Sequence, residues 1–431
     1  MNDFLVELPP AAGSPERAPI RNPIQPGPAP VARQARRLHT STREVSAENT
    51  LRRIQPLLPE FGINQIVDLT LPGVEACPVF QVIRDDVRSE FFNAGKGFTR
   101  VQSLVSGLME AIEVHCYERS HPLLLVGKEF LDSGAATPVR VDNGTRDVRF
   151  VAGIDHVTGA PVALPADEVF REVEGRPTAA SPNGIASGNS VNEALCHALG
   201  EMLERHALAG FFRQGSAGNH FSYQLLERVK PPPECDGIHA CMDQLGVQDI
   251  GAEFIMISSA ANVAVFVCFL DVPAGGESRG AIHGYGAHPD PRIAMARALG
   301  EAVQILALCP LLKETDQFEV ADATAERVVM TSKQAAAIDP GLIHGQRLAD
   351  YSLLAQLKGS LDLIDYDYMA FHDQVAVADE PVSTAEALQQ LVHGLRELGF
   401  DRIYSCVISP PDLPVVVVKT FCPGLDCIRG L

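Results

Sequence analysis

ALGEMLE, at residues 198–204, places two glutamates three positions apart in a predicted helix. Two related segments occur in the chain, GLMEAIE at residues 107–113 and ALGEAVQ at residues 298–304. In each segment small or apolar residues surround an acidic residue, and the third segment ends in an amide where the others end in a second acid. Residues three and four apart are neighbours on a helix surface, so the sequence predicts three related helical faces.

The overall charge restricts the classes of partner that suit the protein. Lys and Arg total 35 of the 431 residues and Asp and Glu total 54, which gives a formal net charge of −19. A surface this acidic disfavours general binding of nucleic acid or of anionic membranes, because both would be repelled. We therefore expect no nucleic acid and no membrane among the partners.

The cysteines and the longest apolar segment predict a cytoplasmic protein. The ten cysteines form no CxxC pair, which in a large chain is typical of reduced thiols. The N-terminus lacks the apolar region of a signal peptide. FIMISSAANVAVFVCFL, at residues 254–270, divides around SSAAN into two β-rich runs, so we predict a strand pair and not a membrane span.

The chain divides into three predicted segments. Residues 1–37 are rich in Pro, Ala and Arg and lack hydrophobic periodicity, which is typical of a disordered arm. Residues 38–90 form a lead-in segment, with a short helix in AENTLRRIQPLLPEFG and strands in INQIVDLT and PVFQVIRDD. Residues 91–431 form the main domain.

Three long helices are predicted in the main domain, and each follows a turn and a β-rich segment. Thr99 and Gln102 match a capping box, which predicts a helix from there to about Glu118. SPNGIASGNS precedes the second helix, and the third has Asp290 as predicted N-cap and Pro291 as its first residue. The order is not a regular βαβ alternation, so we predict an α+β fold with helices packed on mainly antiparallel sheets.

The second helix carries three carboxylates on one face. A helical wheel at about 100° per residue groups Asn189, Glu193, His197, Glu201 and Glu204, with Arg205 at the margin. The opposite face is apolar and contains Leu195, Ala198, Leu199, Met202 and Leu203. The first helix repeats the pattern, with Glu110 and Glu113 adjacent and Ser106 one turn before them.

A solvated surface and a cation-binding site are the two interpretations of this acidic face. Exposed acidic faces usually alternate with Lys or Arg four residues away, and this face lacks them. Like charges three and four residues apart destabilise a helix unless a cation lies between them. Because the arrangement occurs on two helices, we favour a bound cation.

Oxygen ligands on these helices favour Mg²⁺ or Ca²⁺ over zinc. The predicted metal ligands are Glu110, Glu113, Glu193, Glu201 and Glu204. Five carboxylates exceed the need of one Mg²⁺ and suit two or more ions that carry a polyphosphate. Gln304, in the third helix, adds an oxygen without a charge and so limits repulsion of the phosphates.

Basic residues near the helices are candidates for phosphate binding. Lys96 lies in the predicted turn GKG before the first helix, where the helix N-terminus favours an anion. The chain contains no GxxxxGK[ST] sequence, so this is not a Walker A motif. His288 is either a site residue or a turn residue that binds backbone groups, and His197 is interpreted as a partner of the neighbouring acids. Further candidates are Arg84, Arg88 and Arg297.

Three segments together resemble the YcaO family: GKGFTRVQSLVSGLMEAIE, SPNGIASGNSVNEALCHALGEMLERHA and GYGAHPDPRIAMARALGEAVQ. They occur in the family's order and spacing, and the resemblance extends from about residue 45 to the C-terminus. It implies a YcaO-type ATP-binding fold without a P-loop, in which helices with ExxE motifs hold ATP over Mg²⁺ ions. Residues 91–431 would be its catalytic domain.

The resemblance implies ATP-dependent activation of a backbone amide in a ribosomal peptide. Members phosphorylate the amide oxygen, a nucleophile adds to the carbon, and phosphate leaves. External sulfide gives a thioamide, whereas a neighbouring Cys, Ser or Thr side chain gives an azoline. By position, the resemblance assigns Mg–ATP to Glu110, Glu113, Glu193, Glu201 and Glu204, joined by Gln304, and it implies that Ser106, Ser187 and Asn189 contact nucleotide or metal. Lys96 and Arg297 stay the candidates for phosphate binding named above.

The sequence departs from the family pattern at two places. Leu306 stands where many members carry an arginine, so that phosphate contact is either lost or supplied by Arg297. The chain ends FCPGLDCIRGL, whereas many azoline formers end in a PxPxP tail. The segment TLRRIQPLLPEFGINQIVDLT and the chain end resemble members that work with a separate TfuA-type partner, a group linked to thioamide formation.

The leading interpretation is a thioamide synthetase or cyclodehydratase that uses ATP and Mg²⁺. A catalytically weak ATP- or peptide-binding scaffold of a modification complex is the alternative. A metallohydrolase is a third interpretation, but the chain lacks the His-rich ligand set of most such sites. The expected partners are a peptide substrate and a TfuA-type or leader-peptide-binding protein, and the resemblance implies a homodimer. No residue is assigned as general base.

Overall fold

The computed structural model describes residues 36–38, 41–85, 93–127, 130, 135–137, 148–216, 227–258, 263–272, 280–314, 364–366 and 383–425. Residues 1–35 of the predicted arm, Arg88 and residues 426–431 lie outside the described residues. Strands from the predicted lead-in segment pair with a strand of the main domain, as described below, and the three-segment division stays a prediction.

The described residues form helices of very different lengths and mostly short strands. The α-helices are α1 (Ala47–Ile54), α2 (Arg100–Glu118), α3 (Ala166–Val169), α4 (Val191–Ser216), α5 (Asp236–Val247), α6 (Pro291–Glu314) and α7 (Thr384–Glu397), with 3-10 turns at Gln55–Phe61 and Pro122–Leu124. The strands are β1 (Arg36–Leu38), β2 (Ser41–Arg43), β3 (Ile63–Asp68), β4 (Val79–Arg84), β5 (Asn93–Lys96), β6 (Leu125–Val126), β7 (Phe150–Asp155), β8 (Pro161–Pro165), β9 (Glu172–Val173), β10 (Arg176–Pro177), β11 (Ile185–Gly188), β12 (Glu227–Val229), β13 (Gly251–Ser258), β14 (Ala264–Val272), β15 (Gly280–His288), β16 (Ile364–Tyr366), β17 (Tyr404–Val407) and β18 (Val416–Phe421).

The described strands form five sheets in which nearly all pairs are antiparallel. The six-stranded sheet has the order β11-β18-β17-β7-β6, with β8 also paired to β7, and the five-stranded sheet has the order β15-β14-β13-β12-β16. The three-stranded sheet has the order β3-β4-β5, and β1-β2 and β9-β10 are two-stranded. Of these strand pairs β12–β16 is the parallel one. The predicted α+β fold, with helices on mainly antiparallel sheets, is confirmed.

Helix starts follow the predicted capping residues. The Thr99 hydroxyl accepts a hydrogen bond from the N–H of Gln102 at 3.2 Å, and α2 then runs to Glu118. The Asp290 carboxylate accepts one at 3.0 Å from the N–H two residues further on, and Pro291 is the first residue of α6. Side chains at the caps thus satisfy N–H groups that the helices leave unpaired.

The apolar segment at residues 254–270 forms parts of β13 and β14, which pair with each other as predicted. No helix in the described part of the chain is long and apolar enough to cross a membrane. The predicted apolar face of α4 is buried against its sheet and against α7. Its members are at most 5% exposed and comprise Leu195, Ala198, Leu199, Met202 and Leu203.

The long helices α2, α4 and α6 belong to three similar helix–sheet units. Each helix follows an edge strand of a different sheet: β5 precedes α2, β11 precedes α4 and β15 precedes α6. Each helix packs on its own edge strand and also contacts that of another unit, because α2 contacts β11, α4 contacts β15 and α6 contacts β5. These contacts close the three units into a ring, which we call the helix ring.

Glycines let each edge strand approach the backbone of its own helix. A Cβ atom on Gly95 of β5 would lie 2.0 Å from a backbone oxygen of α2. A Cβ atom on Gly286 of β15 would lie 2.1 Å from a backbone oxygen of α6, and one on Gly188 of β11 would lie 2.6 Å from a backbone nitrogen of α4. Real Cβ atoms do not approach so closely, so the helix ring requires glycine at these positions.

The substitution Gly95→Ala is expected to destabilise the fold, because its Cβ would overlap the α2 backbone at Ser103 and Gly107. Overpacking of this kind lowers the free energy of unfolding by about 1–3 kcal/mol, which urea-induced unfolding measures. Gly246→Ala in α5 is the control, because nothing lies within 4 Å of its added Cβ. Equal stability of the two variants would contradict direct backbone packing of β5 on α2.

Candidate functional site

Five glutamates of the helix ring form one cluster, which we call the acidic cluster: Glu110 and Glu113 of α2, Glu201 and Glu204 of α4, and Glu301 of α6. Burial raises the pKa of several members, and the charges of other members raise it further, across all three helices. Mutual effects of this kind require that the carboxylates be near neighbours. The helix ring therefore brings the three related sequence segments to one place.

Backbone N–H groups of the three edge strands bind three of these carboxylates. An edge strand leaves every second N–H without a partner strand, and such a group is unfavourable when it is buried and unpaired. Here each edge strand donates one such hydrogen bond to a different glutamate. The bond also fixes the position of that glutamate. The donor and acceptor pairs are Ala94 with Glu110, Ser187 with Glu113 at 2.8 Å, and Tyr285 with Glu301 at 3.1 Å.

Ser187 and Gln304, both predicted site residues, belong to the same framework. The hydroxyl of Ser187 donates a second hydrogen bond to Glu113. The side-chain nitrogen of Gln304 donates to the carbonyl oxygen of Ala94 at 2.9 Å. Its oxygen Oε1 is buried and has no hydrogen-bond partner among the described residues. A buried acceptor without a partner is unfavourable, so this oxygen is well suited to bind a ligand.

Three glutamates of the acidic cluster have raised pKa values, so they keep their protons to higher pH than an exposed glutamate does. Burial, with the charge of Glu113 adding to it, raises the pKa of Glu110 to about 8. Burial, with the charge of Glu301 adding to it, likewise raises the pKa of Glu204 to about 8. Burial also raises the pKa of Glu113 to about 7, against the hydrogen bonds from Ser187 that lower it. A cation among these groups would favour their ionised forms.

Lys96 and Arg205 are cations that contact the cluster directly. Lys96 is the last residue of β5 and not part of the predicted turn, because its pairing with β4 continues the strand. Its Nζ lies 3.7 Å from a carboxylate oxygen of Glu301. Arg205 binds Glu201 one turn earlier at 2.8 Å, so the residue at the margin of the predicted acidic face reaches into that face.

Glu193, a predicted metal ligand, is bound by protein donors in this structure. It is 3% exposed, and its Oε1 accepts hydrogen bonds from Arg43 at 2.9 Å and from the Asn189 amide at 3.2 Å. Its Oε2 accepts from the N–H of Glu44 at 3.2 Å, and the Oδ1 of Asn189 accepts from Thr50 at 2.9 Å. Glu193 and Asn189 thus join α4 to the N-terminal hairpin and α1, and their predicted ligand roles stay predictions.

Two histidines next to the cluster differ in their surroundings. The Nδ1 of His197 is buried without a partner among the described residues, so this ring nitrogen does not bind the neighbouring acids. Burial, together with the charges of Arg297 and Arg43, holds the pKa of His197 well below its usual range. The Nδ1 of His288 accepts a hydrogen bond from the N–H of Asp290 at 2.9 Å, which is the predicted turn role.

The remaining predicted residues are Arg84, Ser106 and Arg297, and their contacts differ. Arg84 is not available for phosphate, because it forms a buried pair with Glu118 at 2.8 Å at the far end of α2. Ser106 lies half-buried on α2, and Arg297 donates to the carbonyl oxygen of Ala287 at 3.1 Å. Within the described residues, no three His, Cys, Asp or Glu side chains are arranged to hold one metal ion in common.

Glu301 and Arg43 are site residues that sequence reasoning missed. Alignment of the three related segments on their first acid places Glu301 level with Glu110 and Glu201, so a signal for it was present. Arg43 reaches Glu193 from 150 positions away in the chain, and no local pattern marks such a contact.

Comparison with known proteins identifies the family. The model described as YcaO cyclodehydratase, ATP- and Mg²⁺-binding, matches residues 94–426. The chain belongs to the YcaO family. The matched range contains the whole acidic cluster, and ATP and Mg²⁺, the predicted cofactors, are confirmed as those of the family.

Sequence relatives agree with this membership. A protein in the tfuA 3′ region of Rhizobium leguminosarum bv. trifolii is 25% identical over 405 residues, which are 89% of this chain and 88% of that protein. A protein of Methanothermobacter thermautotrophicus is 27% identical over 293 residues, which are 60% of this chain and 69% of that protein.

Solved structures of low sequence identity share the fold. YcaO from Methanopyrus kandleri bound with AMPPCP and Mg²⁺ matches with a TM-score of 0.65 at 20% identity, over 91% of this chain and 95% of that chain. A heterocyclase in complex with substrate and cofactor matches with a TM-score of 0.64 at 19% identity, over 92% and 54%. The Escherichia coli microcin synthetase McbBCD complex with pro-MccB17 bound matches with a TM-score of 0.52 at 12% identity, over 83% and 87%. The predicted YcaO-type fold is thereby confirmed.

Without divalent cations, the protein is expected to lose stability as pH rises from 4.5, the ordinary pKa of glutamate, to about 8. The folded state keeps protons in this range that the unfolded chain has released, so the slope of stability with pH is negative. Thermal unfolding in EDTA across this range measures it. Glu110→Gln should flatten the profile, whereas Glu253→Gln, on β13 and paired with Arg228, should not. A Glu110→Gln profile as steep as that of the wild type would contradict the raised pKa.

Proposed function

We propose that the protein activates a backbone amide of a ribosomal peptide with ATP. The γ-phosphoryl group is transferred to the amide oxygen, a nucleophile adds to the amide carbon, and the C–O bond then breaks with release of phosphate. One observation carries the proposal: carboxylates from three helices converge on one half-buried site, in a chain whose family binds ATP and Mg²⁺.

The oxygen atoms of the cluster are the ligand types that suit Mg²⁺. Carboxylate and amide oxygens are hard ligands, and Mg²⁺ usually takes one or two carboxylates and completes its shell with phosphate oxygens and water. Glu110 and Glu113 on α2 and the glutamates of α4 would hold Mg²⁺, and the unpaired oxygen of Gln304 would be available to the same ligand. Bound Mg²⁺ supplies positive charge against the transferring phosphoryl group.

The five predicted carboxylate ligands then divide into two groups. Glu110, Glu113, Glu201 and Glu204 lie in the acidic cluster, where burial and mutual repulsion favour a cation. Glu193 already accepts hydrogen bonds on both oxygens, so a metal bound there must share the carboxylate with these donors. Glu301 joins the first group, because its contact with Lys96 is long at 3.7 Å and leaves the carboxylate within reach of a further cation.

Cationic side chains next to the cluster would bind the phosphates. Lys96 presents its ammonium group from the end of β5 and is 30% exposed, so a ligand can reach it. Arg297 is fixed by its hydrogen bond to Ala287 and retains N–H groups for a ligand. Fixed cations of this kind stabilise charge on a transferring phosphoryl group without reorganisation during the reaction.

The identity of the attacking nucleophile decides which of the two products, azoline or thioamide, is formed. A heterocyclase and a microcin synthetase share the fold, which favours attack by a side chain of the peptide and an azoline product. The relative in the tfuA 3′ region favours external sulfide, a thioamide product and a TfuA-type partner. A leader-peptide-binding protein is the alternative partner, and a homodimer is the proposed oligomeric state.

Leu306 supports a second candidate function, an ATP- and peptide-binding scaffold of low activity. Many family members carry arginine at this position, whereas Leu306 packs against the apolar core beneath the five-stranded sheet. A leucine there contributes to stability and offers no charge to a phosphate. ATP turnover separates the two candidates, because a scaffold would bind ATP without consuming it when peptide and partner are present.

Glu201→Gln is expected to lower peptide-dependent ATP turnover, because an amide cannot balance the charge of a cation as a carboxylate does. Loss of one electrostatic contact of a transition state typically lowers kcat by on the order of 100-fold. Phosphate release in the presence of peptide measures it. Glu253→Gln removes a glutamate outside the cluster and should leave turnover unchanged. Normal turnover by Glu201→Gln would contradict the assignment of the cluster.

The intact mass of a co-expressed precursor peptide is expected to distinguish the products. Each azoline removes one water from the peptide, whereas each thioamide exchanges one oxygen for one sulfur and leaves the residue count and backbone length unchanged. The control is the peptide co-expressed with Glu201→Gln. An unmodified peptide with the wild-type protein and its partner would contradict amide activation and support the scaffold.

A further inference from the structure

Lys419 is a buried cation outside the acidic cluster. It lies on β18 of the six-stranded sheet and is 2% exposed. Its Nζ lies 5.4 Å from the ring centre of Phe421 and 5.8 Å from that of Tyr117, and aromatic faces attract a cation at such distances. Lysine is almost never fully buried unless its ammonium group has partners, because removing the charge from water is costly. An apolar side chain would fill this place at a lower cost, so the role of Lys419 depends on what its ammonium group binds.

The ammonium group of Lys419 binds the turn that precedes β11, residues 180–184, which we call the β11 turn. Nζ donates hydrogen bonds to the carbonyl oxygens of Ser181 and of Asn183, the second at 2.6 Å. Hydrogen bonds from a charged donor are stronger than those between neutral groups. The side chain from β18 therefore fixes the backbone of the β11 turn from its buried side.

Helix α2 binds the same part of the chain at two points. The hydroxyl of Tyr117 donates a hydrogen bond to the carbonyl oxygen of Ala180, at the start of the β11 turn. One helical turn earlier on α2, Oε1 of Glu113 accepts hydrogen bonds from the N–H of Ser187, at 2.8 Å, and from its hydroxyl. Lys419 holds the backbone between these two points, so its contacts lie on the path from α2 to the donors of Glu113.

The β11 turn ends at Gly184, which fixes the start of β11 against β18. Gly184 has a φ of 78°, a conformation that glycine adopts readily, and its O accepts a hydrogen bond from the N–H of Thr420 at 2.8 Å. A Cβ atom on Gly184 would lie 2.4 Å from the carbonyl oxygen of Thr420, the residue after Lys419. The position of β11 is thus set at its first residue, Ile185, and Ser187 is the third residue of the same strand.

We infer that Lys419 is a positioning residue for Glu113 and acts through the β11 turn. By holding the carbonyl groups of this turn, it keeps β11 where both donors of Ser187 reach Glu113. Both bonds end on Oε1, which leaves Oε2 for a cation. Removal of a group that orients a metal ligand typically lowers metal affinity by about 10- to 100-fold. This inference rests on the proposed function, because it names a further residue on which Mg²⁺ binding depends.

Binding of AMPPCP, measured by calorimetry at a series of Mg²⁺ concentrations, tests the inference. Lys419→Met keeps an unbranched side chain and removes the ammonium group, so the Mg²⁺ concentration at half-maximal binding is expected to rise about 10-fold. Saturating Mg²⁺ should restore AMPPCP binding, because the ligands of the metal are still present. Lys419→Arg should recover part of the loss, because a guanidinium group can donate to both carbonyl oxygens of the β11 turn.

Two further variants separate positioning from stability. Tyr117→Phe removes only the hydroxyl that binds Ala180, and it should raise the Mg²⁺ requirement in the same direction as Lys419→Met. Ser409→Ala is the matched control, because the buried Ser409 hydroxyl accepts a hydrogen bond from the N–H of Val417 at 3.1 Å on the side of β18 that faces β17. Ser409→Ala should lower the temperature of thermal unfolding and leave the Mg²⁺ requirement unchanged.

Three results would overturn the inference. A Lys419→Met variant that unfolds at a lower temperature but needs no more Mg²⁺ than the wild type would show a purely structural role and leave the proposed function intact. Loss of AMPPCP binding that saturating Mg²⁺ does not restore would place the defect outside the metal site. Failure of the wild type to bind AMPPCP with Mg²⁺ would contradict the proposed function and this inference with it. If Lys419→Met does not fold, Tyr117→Phe decides, and a wild-type Mg²⁺ requirement in that variant would overturn the inference.

Discussion

Hydrogen bonds from three edge strands to three glutamates are the interaction on which the site depends. β5, β11 and β15 each end a sheet, and each faces a helix of the ring with N–H groups that no strand can pair. Glu110, Glu113 and Glu301 accept these donors and are fixed by them. The same bonds therefore satisfy the buried backbone and aim the acidic side chains at one another. Glycines on the strands bring the helices close enough for this to occur.

The acidic cluster opposes the stability of the fold that contains it. Burial and mutual repulsion raise the pKa of several members, so near neutral pH the folded state holds protons that the unfolded chain would release, which costs stability. Lys96 and Arg205 offset part of this cost by contacts with Glu301 and Glu201, and the charge of Arg43 lowers the pKa of Glu113. Local arrangements that disfavour the folded state are characteristic of functional sites. In the proposed function, Mg²⁺ and nucleotide complete the charge balance.

The sequence predicted the helices and their acidic faces well, because the signals for both are local. Thr99 and Asp290 cap α2 and α6 by bonds that span only two or three residues, and helical spacing alone groups Glu201 with Glu204. Lys96 was placed wrongly, because the pairing of β5 with β4 extends a strand through a segment that resembles a turn.

Contacts between distant segments could not be predicted from single residues. The pairing of Arg84 with Glu118 depends on the packing of β4 against α2, which no spacing in the sequence encodes. The same holds for the hairpin that carries Arg43, because its position follows from bonds to α4 and α7. The three repeated segments predicted three helices around one metal–phosphate site, but not the arrangement of their sheets as a ring of three units. The repeated segments indicated three similar helices. How these helices contact one another depends on the edge strands of the three sheets, which the repeats do not reveal.

Anomalous diffraction from crystals grown with AMPPCP and with Mn²⁺ in place of Mg²⁺ tests the central claim most directly. That claim is that carboxylates of different helices hold one metal–nucleotide site. The account predicts Mn²⁺ peaks in direct contact with glutamates of both α2 and α4, with the phosphates of AMPPCP on the opposite side of the metal. Peaks that contact one helix alone, or that lie outside the acidic cluster, would contradict it.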